Sequence, residues 1–101
     1  MSFIKVAQIN DVQEGTAKVF NVGEVRIALC HVEDKFYAIA DICTHDGGPL
    51  GEGELVDCQI ECPRHGARFD VRTGKALCLP AVLGVPTYAV EVRADEIFVS
   101  V

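Results

Sequence analysis

Two short cysteine–histidine pairs constrain this chain more than any other feature of its sequence. The first is Cys43-Thr44-His45, and the second, after sixteen intervening residues, is Cys62-Pro63-Arg64-His65. Gly47 and Gly48 follow the first pair and Gly66 follows the second, and glycine permits tight turns and close approach of the backbone to a ligand. Two such loops can converge on one site.

The mixed composition of the pairs bears on the kind of site. Two cysteines and two histidines form an acceptable tetrahedral set for zinc, but zinc sites usually keep like ligands together, as C-x₂₋₄-C and H-x₃₋₅-H. Here each loop supplies one thiolate and one imidazole. An iron–sulfur cluster with two irons explains the mixing, because two thiolates can hold one iron and two imidazoles the other. A lone Cys or His is most often an ordinary buried residue with no metal. That interpretation fits this constellation of four residues poorly.

Alternation of apolar and polar residues predicts an all-β framework at both ends of the chain. Residues 17–20 and 25–29 flank a turn near Gly23 and form a predicted hairpin, and residues 36–39 form a further strand. Residues 88–92 and 97–101 form a closing hairpin. No pattern indicates a helix longer than a turn or two.

The stretch from about 41 to 86 has a different texture, since glycine and proline recur along it and leave room only for short strands near 56–61 and 68–71. A glycine-dense insert within a β framework is where binding loops usually lie. At 101 residues the chain has the size of one domain, so we expect a single domain over 1–101 with its binding loops within about 41–86.

Charge and cysteine usage narrow the function classes. The formal net charge of −6 disfavours nucleic acid and anionic membranes as partners and suits a basic protein surface, although many intracellular proteins are acidic. Five cysteines cannot all pair as disulfides, and neither a signal peptide nor a membrane span is apparent. We therefore expect a cytoplasmic protein without a membrane partner.

The segments from Cys43 to Leu50 and from Cys62 to Asp70 resemble the two cluster loops of the Rieske family, C-x-H and C-x₂-H. The likeness extends through Thr73-Gly74-Lys75-Ala76 to the closing strand at 88–92, and Leu79-Pro80-Ala81 resembles the proline-bearing loop that covers the cluster. It is greatest for the ferredoxins of bacterial ring-hydroxylating oxygenases. The resemblance implies an all-β Rieske fold, a sandwich of small antiparallel sheets with a loop-rich cluster-binding subdomain at one tip. It also implies one [2Fe–2S] cluster per chain, with Cys43, His45, Cys62 and His65 as its ligands.

Departures from the high-potential Rieske proteins indicate the low end of the Rieske range of about −150 to +300 mV. Gly48 and Arg64 stand where those proteins carry a disulfide, and Ala67 and Phe69 stand where they carry serine and tyrosine hydroxyls near the cluster. Hydrogen bonds to cluster and ligand sulfur favour the reduced state, so their absence lowers the potential. By resemblance, the protein is a monomeric electron carrier between an NAD(P)H-dependent flavin reductase and a terminal non-heme iron oxygenase.

Two rival functions can be tested against the sequence. A terminal oxygenase also needs a mononuclear iron site of two histidines and a carboxylate, yet only His31 is left once the cluster is ligated. A small Rieske-like subunit of a larger complex, such as an assimilatory nitrite reductase, remains an alternative, which purification would distinguish from a free carrier.

The other three cysteines fall outside the pattern. Cys30 lies in a predicted strand and is expected to be a small core side chain. Cys58 lies in a strand-like segment and is expected to be structural, while Cys78 precedes the Pro80 loop, either packing near the cluster or serving the fold alone.

Overall fold

The computed structural model describes residues 3–43, 48–64, 66–79 and 83–101. Within these ranges the chain forms ten strands and a single-turn 3₁₀ helix at Ile9–Asp11. The described part contains no helix long and apolar enough to cross a membrane.

A six-stranded antiparallel sheet forms the larger part of the fold, in the order β1-β10-β9-β4-β3-β2. It contains both predicted hairpins and the predicted strand between them. Its strands are β1 (Phe3–Gln8), β2 (Ala17–Val22), β3 (Val25–Val32), β4 (Lys35–Ala40), β9 (Thr87–Arg93) and β10 (Glu96–Ser100).

A smaller antiparallel sheet is built from the glycine-rich middle of the chain, in the order β5-β6-β7-β8. The sequence predicted short strands near 56–61 and 68–71. The first region instead holds two strands joined by a turn that includes Cys58, which was expected in a strand, and the last strand of this sheet was missed. The four strands are β5 (Leu55–Val56), β6 (Gln59–Glu61), β7 (Arg68–Asp70) and β8 (Ala76–Cys78).

Two-residue turns fix the register of four hairpins, and in each the first turn residue has a positive φ. Such turns match the twist of paired strands. Glycine fills one of these positions, and the others are held by residues with a side chain: Gly23, Glu33, Asp57 and Ala94.

Strand β3 lies between two hydrophobic cores, because consecutive side chains of a strand point to opposite faces. Ile27 and Leu29 pack into one core, and Ala28 and Cys30 pack into the other. The sheet core consists of Ala7, Val12, Val22, Ile27, Leu29, Ala38, Ile97 and Val99. The loop-side core consists of Ala28, Cys30, Ile39, Cys43, Leu50, Ile60, Cys62, Ala67, Phe69, Val71 and Val85.

Candidate metal centre

Cys43 begins the first loop of the candidate site. It follows the end of β4, its side chain is fully buried, and its backbone N–H donates to the carbonyl oxygen of Gly48 over 2.7 Å. That bond brings the two ends of the Cys43–Gly48 stretch together. The predicted ligand His45 lies outside the described residues.

Cys62 begins the second loop in the same way, directly after β6. Its N–H donates to the carbonyl oxygen of Ala67 over 2.7 Å, and its own carbonyl accepts the N–H of Gly66 over 3.1 Å. Gly66 has a φ of +78°, a conformation that residues with a Cβ rarely adopt. The predicted ligand His65 lies outside the described residues.

The two loops meet at the loop-side core, which contains both Cys43 and Cys62. Neither cysteine is joined in a disulfide, and both are buried. Two buried cysteine side chains in one apolar cluster, each followed in sequence within three residues by a histidine, are the donors that a mixed thiolate–imidazole cluster requires. The described residues alone contain no group of three or more metal-ligating side chains.

A buried carboxylate closes the base of the first loop, and the sequence did not identify it. Asp41 Oδ1 accepts the backbone N–H groups of Leu50 (2.8 Å) and Gly51 (2.6 Å), and its Oδ2 accepts from Arg26 Nε (2.6 Å). A Cβ at Gly51 would collide with the side chain of Val19, so glycine at this position lets the backbone pass close to Val19. The chain thus returns to the end of β4 after the loop.

A third segment closes at the edge of the same core. The N–H of Val85 donates to the carbonyl oxygen of Gly74 over 2.7 Å. Leu79 and Leu83, on either side of 80–82, are 76% and 68% exposed. The Pro80 loop itself, predicted by resemblance to cover the cluster, lies outside the described residues.

Two of the four positions that distinguish high-potential Rieske proteins lie in this core. Ala67 and Phe69 are both fully buried within it, and neither carries a hydroxyl. The other two positions are Gly48, which is buried, and Arg64, which is exposed. Neither residue has a thiol, so no disulfide can join the two loops there.

The other cysteines differ in environment. Cys30 is fully buried in the loop-side core, as predicted, and burial raises the pKa of its thiol from 9.0 to about 12. Cys58 packs partly buried against the same core. Cys78 is exposed, with its Sγ 3.7 Å from the carbonyl oxygen of Gly66, which places it beside the second loop.

The remaining histidine, His31, makes contacts that are typical of a structural residue. Its ring stacks on Phe36 with centroids 4.0 Å apart, and its Nδ1 lies 2.8 Å from the carbonyl oxygen of Val12. Both of these contacts, with Phe36 and Val12, are made outside the two ligand loops.

Comparisons with known proteins agree with this arrangement. The profile of the Rieske [2Fe-2S] domain family matches residues 2–89. The 3-phenylpropionate/cinnamic acid dioxygenase ferredoxin subunit of Escherichia coli (strain K12) is 44% identical over 100 residues, which cover 98% of this chain and 93% of that protein.

Two solved structures share the fold over nearly their whole length. The ferredoxin of carbazole 1,9a-dioxygenase from Nocardioides aromaticivorans IC177 has a TM-score of 0.95 and 35% identity, over 99% of this chain and 98% of that one. A chain in a complex of reduced oxygenase and oxidized ferredoxin in carbazole 1,9a-dioxygenase has a TM-score of 0.91 and 39% identity, over 97% and 92% of the two chains.

Proposed function

This chain belongs to the Rieske [2Fe–2S] domain family, and on that premise we propose that it is the ferredoxin of a ring-hydroxylating dioxygenase system. Its relatives are named as ferredoxin subunits, which are electron-transfer components and not the catalytic oxygenases. The observation that carries the proposal is that Cys43 and Cys62, both buried and not joined in a disulfide, meet in one core at the starts of two loops.

The ligand set of the proposal is Cys43, His45, Cys62 and His65, with one [2Fe–2S] cluster in a single Rieske domain spanning residues 1–101. When bound, the cluster supplies one-electron transfer. Burial of both thiols keeps water from the cysteine side of the site. The hydrogen bonds from the N–H groups of Cys43 and Cys62 to the carbonyl oxygens of Gly48 and Ala67 fix the backbone at the two cysteines.

The proposed partners are a terminal non-heme iron oxygenase, which accepts electrons, and an NAD(P)H-dependent flavin reductase, which supplies them. The solved complex of an oxygenase with a ferredoxin related to this chain supports the first partner. The net charge of −6 favours transient docking on basic surfaces, since steering raises the encounter rate without requiring a tight complex. We propose that the carrier is monomeric and cytoplasmic and that it engages neither nucleic acid nor membrane.

The proposal includes a reduction potential at the low end of the Rieske range. Ala67 and Phe69 lie in the core that contains both cysteines, and neither side chain has a donor for sulfur. Without such hydrogen bonds the reduced, more negative cluster is less stabilised.

The 44% identity to a dioxygenase ferredoxin subunit favours a free carrier over a subunit of a nitrite reductase. Gel filtration of the purified protein separates these alternatives. A free carrier elutes near its mass of 10.9 kDa, whereas a subunit co-purifies with its complex from the native host.

The decisive test is electron paramagnetic resonance of the anaerobically purified, dithionite-reduced protein. We expect a rhombic signal whose average g value lies below that of an all-cysteine cluster, because nitrogen ligands replace two sulfurs. A colourless protein that contains zinc or no metal would contradict the proposal.

Matched substitutions test the ligand set. We expect Cys43→Ser, Cys62→Ser, His45→Ala and His65→Ala each to abolish the Rieske signal. The controls are Cys58→Ser, Cys78→Ser and His31→Asn, which alter the same residue types outside the proposed set and should retain it. Retention of the signal in a variant from the proposed set would remove that residue from it.

A further inference from the structure

Asp41 combines charge and burial in an unusual way at the entry to the first ligand loop. Asp41 and Ser100 are the buried polar residues of the described part of the chain, and Asp41 alone of the two is ionisable. Its side chain is fully covered, whereas the side chain of its ion-pair partner Arg26 is 60% exposed. The Asp41 carboxylate is therefore shielded from water, whereas the Arg26 guanidinium is largely exposed to it.

The contacts of Asp41 join three parts of the fold. Its backbone N–H donates to the carbonyl oxygen of Arg26 over 3.0 Å, which attaches the end of β4 to β3. Its carboxylate accepts the N–H groups of Leu50 and Gly51, nine and ten residues further on. Hydrogen bonds to an ionised acceptor are shorter and stronger than neutral ones, so this carboxylate closes the loop firmly.

The charge of Asp41 also lies against the site. Asp41 precedes Cys43 by two residues, and Leu50, whose N–H it binds, packs in the loop-side core with both cysteines. A charge without direct access to water acts through a low effective dielectric, whereas water screens an exposed charge such as that of Arg26. We therefore expect the buried carboxylate to outweigh the exposed guanidinium, so that the pair makes the electrostatic potential inside the core more negative.

We propose that Asp41 is a positioning residue that closes the first ligand loop and lowers the reduction potential of the cluster held there. The inference rests on the proposed function, because it takes Cys43 as a ligand. Reduction adds an electron, and a fixed negative charge nearby opposes that addition. Arg26 weakens the effect, so removing the carboxylate and removing the guanidinium should shift the potential in opposite directions.

The test compares Asp41→Asn and Arg26→Gln. Asparagine keeps an oxygen for Leu50 and Gly51 but loses the charge, and glutamine keeps a neutral donor toward Asp41. The matched controls are Glu91→Gln and Arg93→Gln, which make the same changes of net charge in an exposed ion pair on β9. Potentials are measured by redox titration followed by the paramagnetic resonance signal.

We expect Asp41→Asn to raise the ratio of reduced to oxidised protein at the wild-type midpoint about tenfold, which is about 59 mV for a one-electron couple. Arg26→Gln should lower the ratio about threefold, and the two controls should change it less than about twofold because water screens their charges. Shifts of the same sign for Asp41→Asn and Arg26→Gln, or shifts no larger than those of the controls, would overturn the electrostatic role.

A second readout does not depend on the cluster. Hydrogen exchange measured by mass spectrometry on a peptide containing Leu50 and Gly51 should be about tenfold faster in Asp41→Asn than in wild type, and unchanged in Glu91→Gln. Unchanged exchange in Asp41→Asn would overturn loop closure by Asp41. If that variant does not fold, Arg26→Gln decides the electrostatic role, and its failure to lower the potential refutes it.

The two proposals fail differently. A wild-type protein that never forms a cluster refutes the proposed function and the effect on potential together, while exchange at Leu50 and Gly51 still decides loop closure. A wild-type protein with a Rieske signal, whose potential Asp41→Asn leaves unchanged, refutes the inference alone.

Discussion

Gly74 and Val85 are joined by a backbone hydrogen bond of 2.7 Å that only a residue without a side chain permits. Gly74 has a φ of +80°, and a Cβ at this position would collide with the carbonyl oxygen of Val85. The carbonyl of Gly74 also lies 2.6 Å from where a Cβ on Gly84 would stand, so two glycines allow these two segments of the chain to approach each other. This contact closes the third segment at the edge of the loop-side core.

Gly74→Ala should therefore destabilise the fold by about 3 kcal/mol, because it combines a strained φ with a backbone collision. Gly23→Ala is the matched control. Gly23 also has a positive φ (+62°), but a Cβ added there would meet no atom of the described residues within 4 Å, so a loss of about 1 kcal/mol is expected. Urea unfolding followed by circular dichroism measures both, and equal losses would contradict the role of the Val85 contact.

The free cysteines outside the proposed ligand set should differ sharply in reactivity. Burial raises the pKa of Cys30 from 9.0 to about 12, which lowers its thiolate fraction at neutral pH about thousandfold. Cys78 is exposed. With native protein at pH 8, iodoacetamide should alkylate Cys78 within minutes and leave Cys30 unmodified, as peptide mass spectrometry would show. Comparable labelling of Cys30 would mean that the loop-side core opens readily.

Introducing hydroxyls into the core that contains the two cysteines should raise the reduction potential of the cluster. We expect Ala67→Ser and Phe69→Tyr each to raise it by roughly 50 mV, since a hydrogen bond to sulfur favours the reduced state. Protein-film voltammetry measures the change. Ala89→Ser and Phe36→Tyr make the same chemical substitutions outside the loop-side core and should have little effect. A potential unchanged in both test variants would mean that these two positions do not set the reduction potential.

The turn after β7 should contribute to stability in a pH-dependent way. The two hydrogen bonds from the Arg72 guanidinium are the main cause that holds the pKa of Asp70 below its usual 3.8. The stabilisation is present above the unfolded-state pKa and is lost as pH falls through the depressed folded-state value. Arg72→Gln should thus lower the urea midpoint at pH 6 but not at pH values below both pKa values, whereas Lys75→Gln should leave the wild-type pH dependence intact.

Local pattern predicted the larger sheet well. Two-residue turns join β2 to β3, β3 to β4 and β9 to β10, so the information for each of these hairpins is contained within about fifteen residues. Strand β8 was missed because Ala76-Leu77-Cys78 is a short apolar run without alternation, and its pairing with β7 has an irregular register.

The candidate site was predictable where residue type alone carries the chemistry. Cys43 and Cys62 were identified by their spacing to histidines, and the structure places both in one core. Asp41 could not be found in the same way, because its partners are backbone N–H groups nine and ten residues away and an arginine fifteen residues before it. An aspartate after a strand predicts a turn and gives no sign of such partners.

The position of β3 between two cores separates two kinds of sequence change. Ala28 and Leu29 are neighbours in the chain, yet one packs with the cysteines and the other packs only among the strands of the larger sheet. Substitutions that retune electron transfer can therefore accumulate on one face of a strand while the opposite face keeps the framework intact. The surroundings of the loop cysteines can thus change at positions such as Ala28 while the core that holds the larger sheet together stays the same.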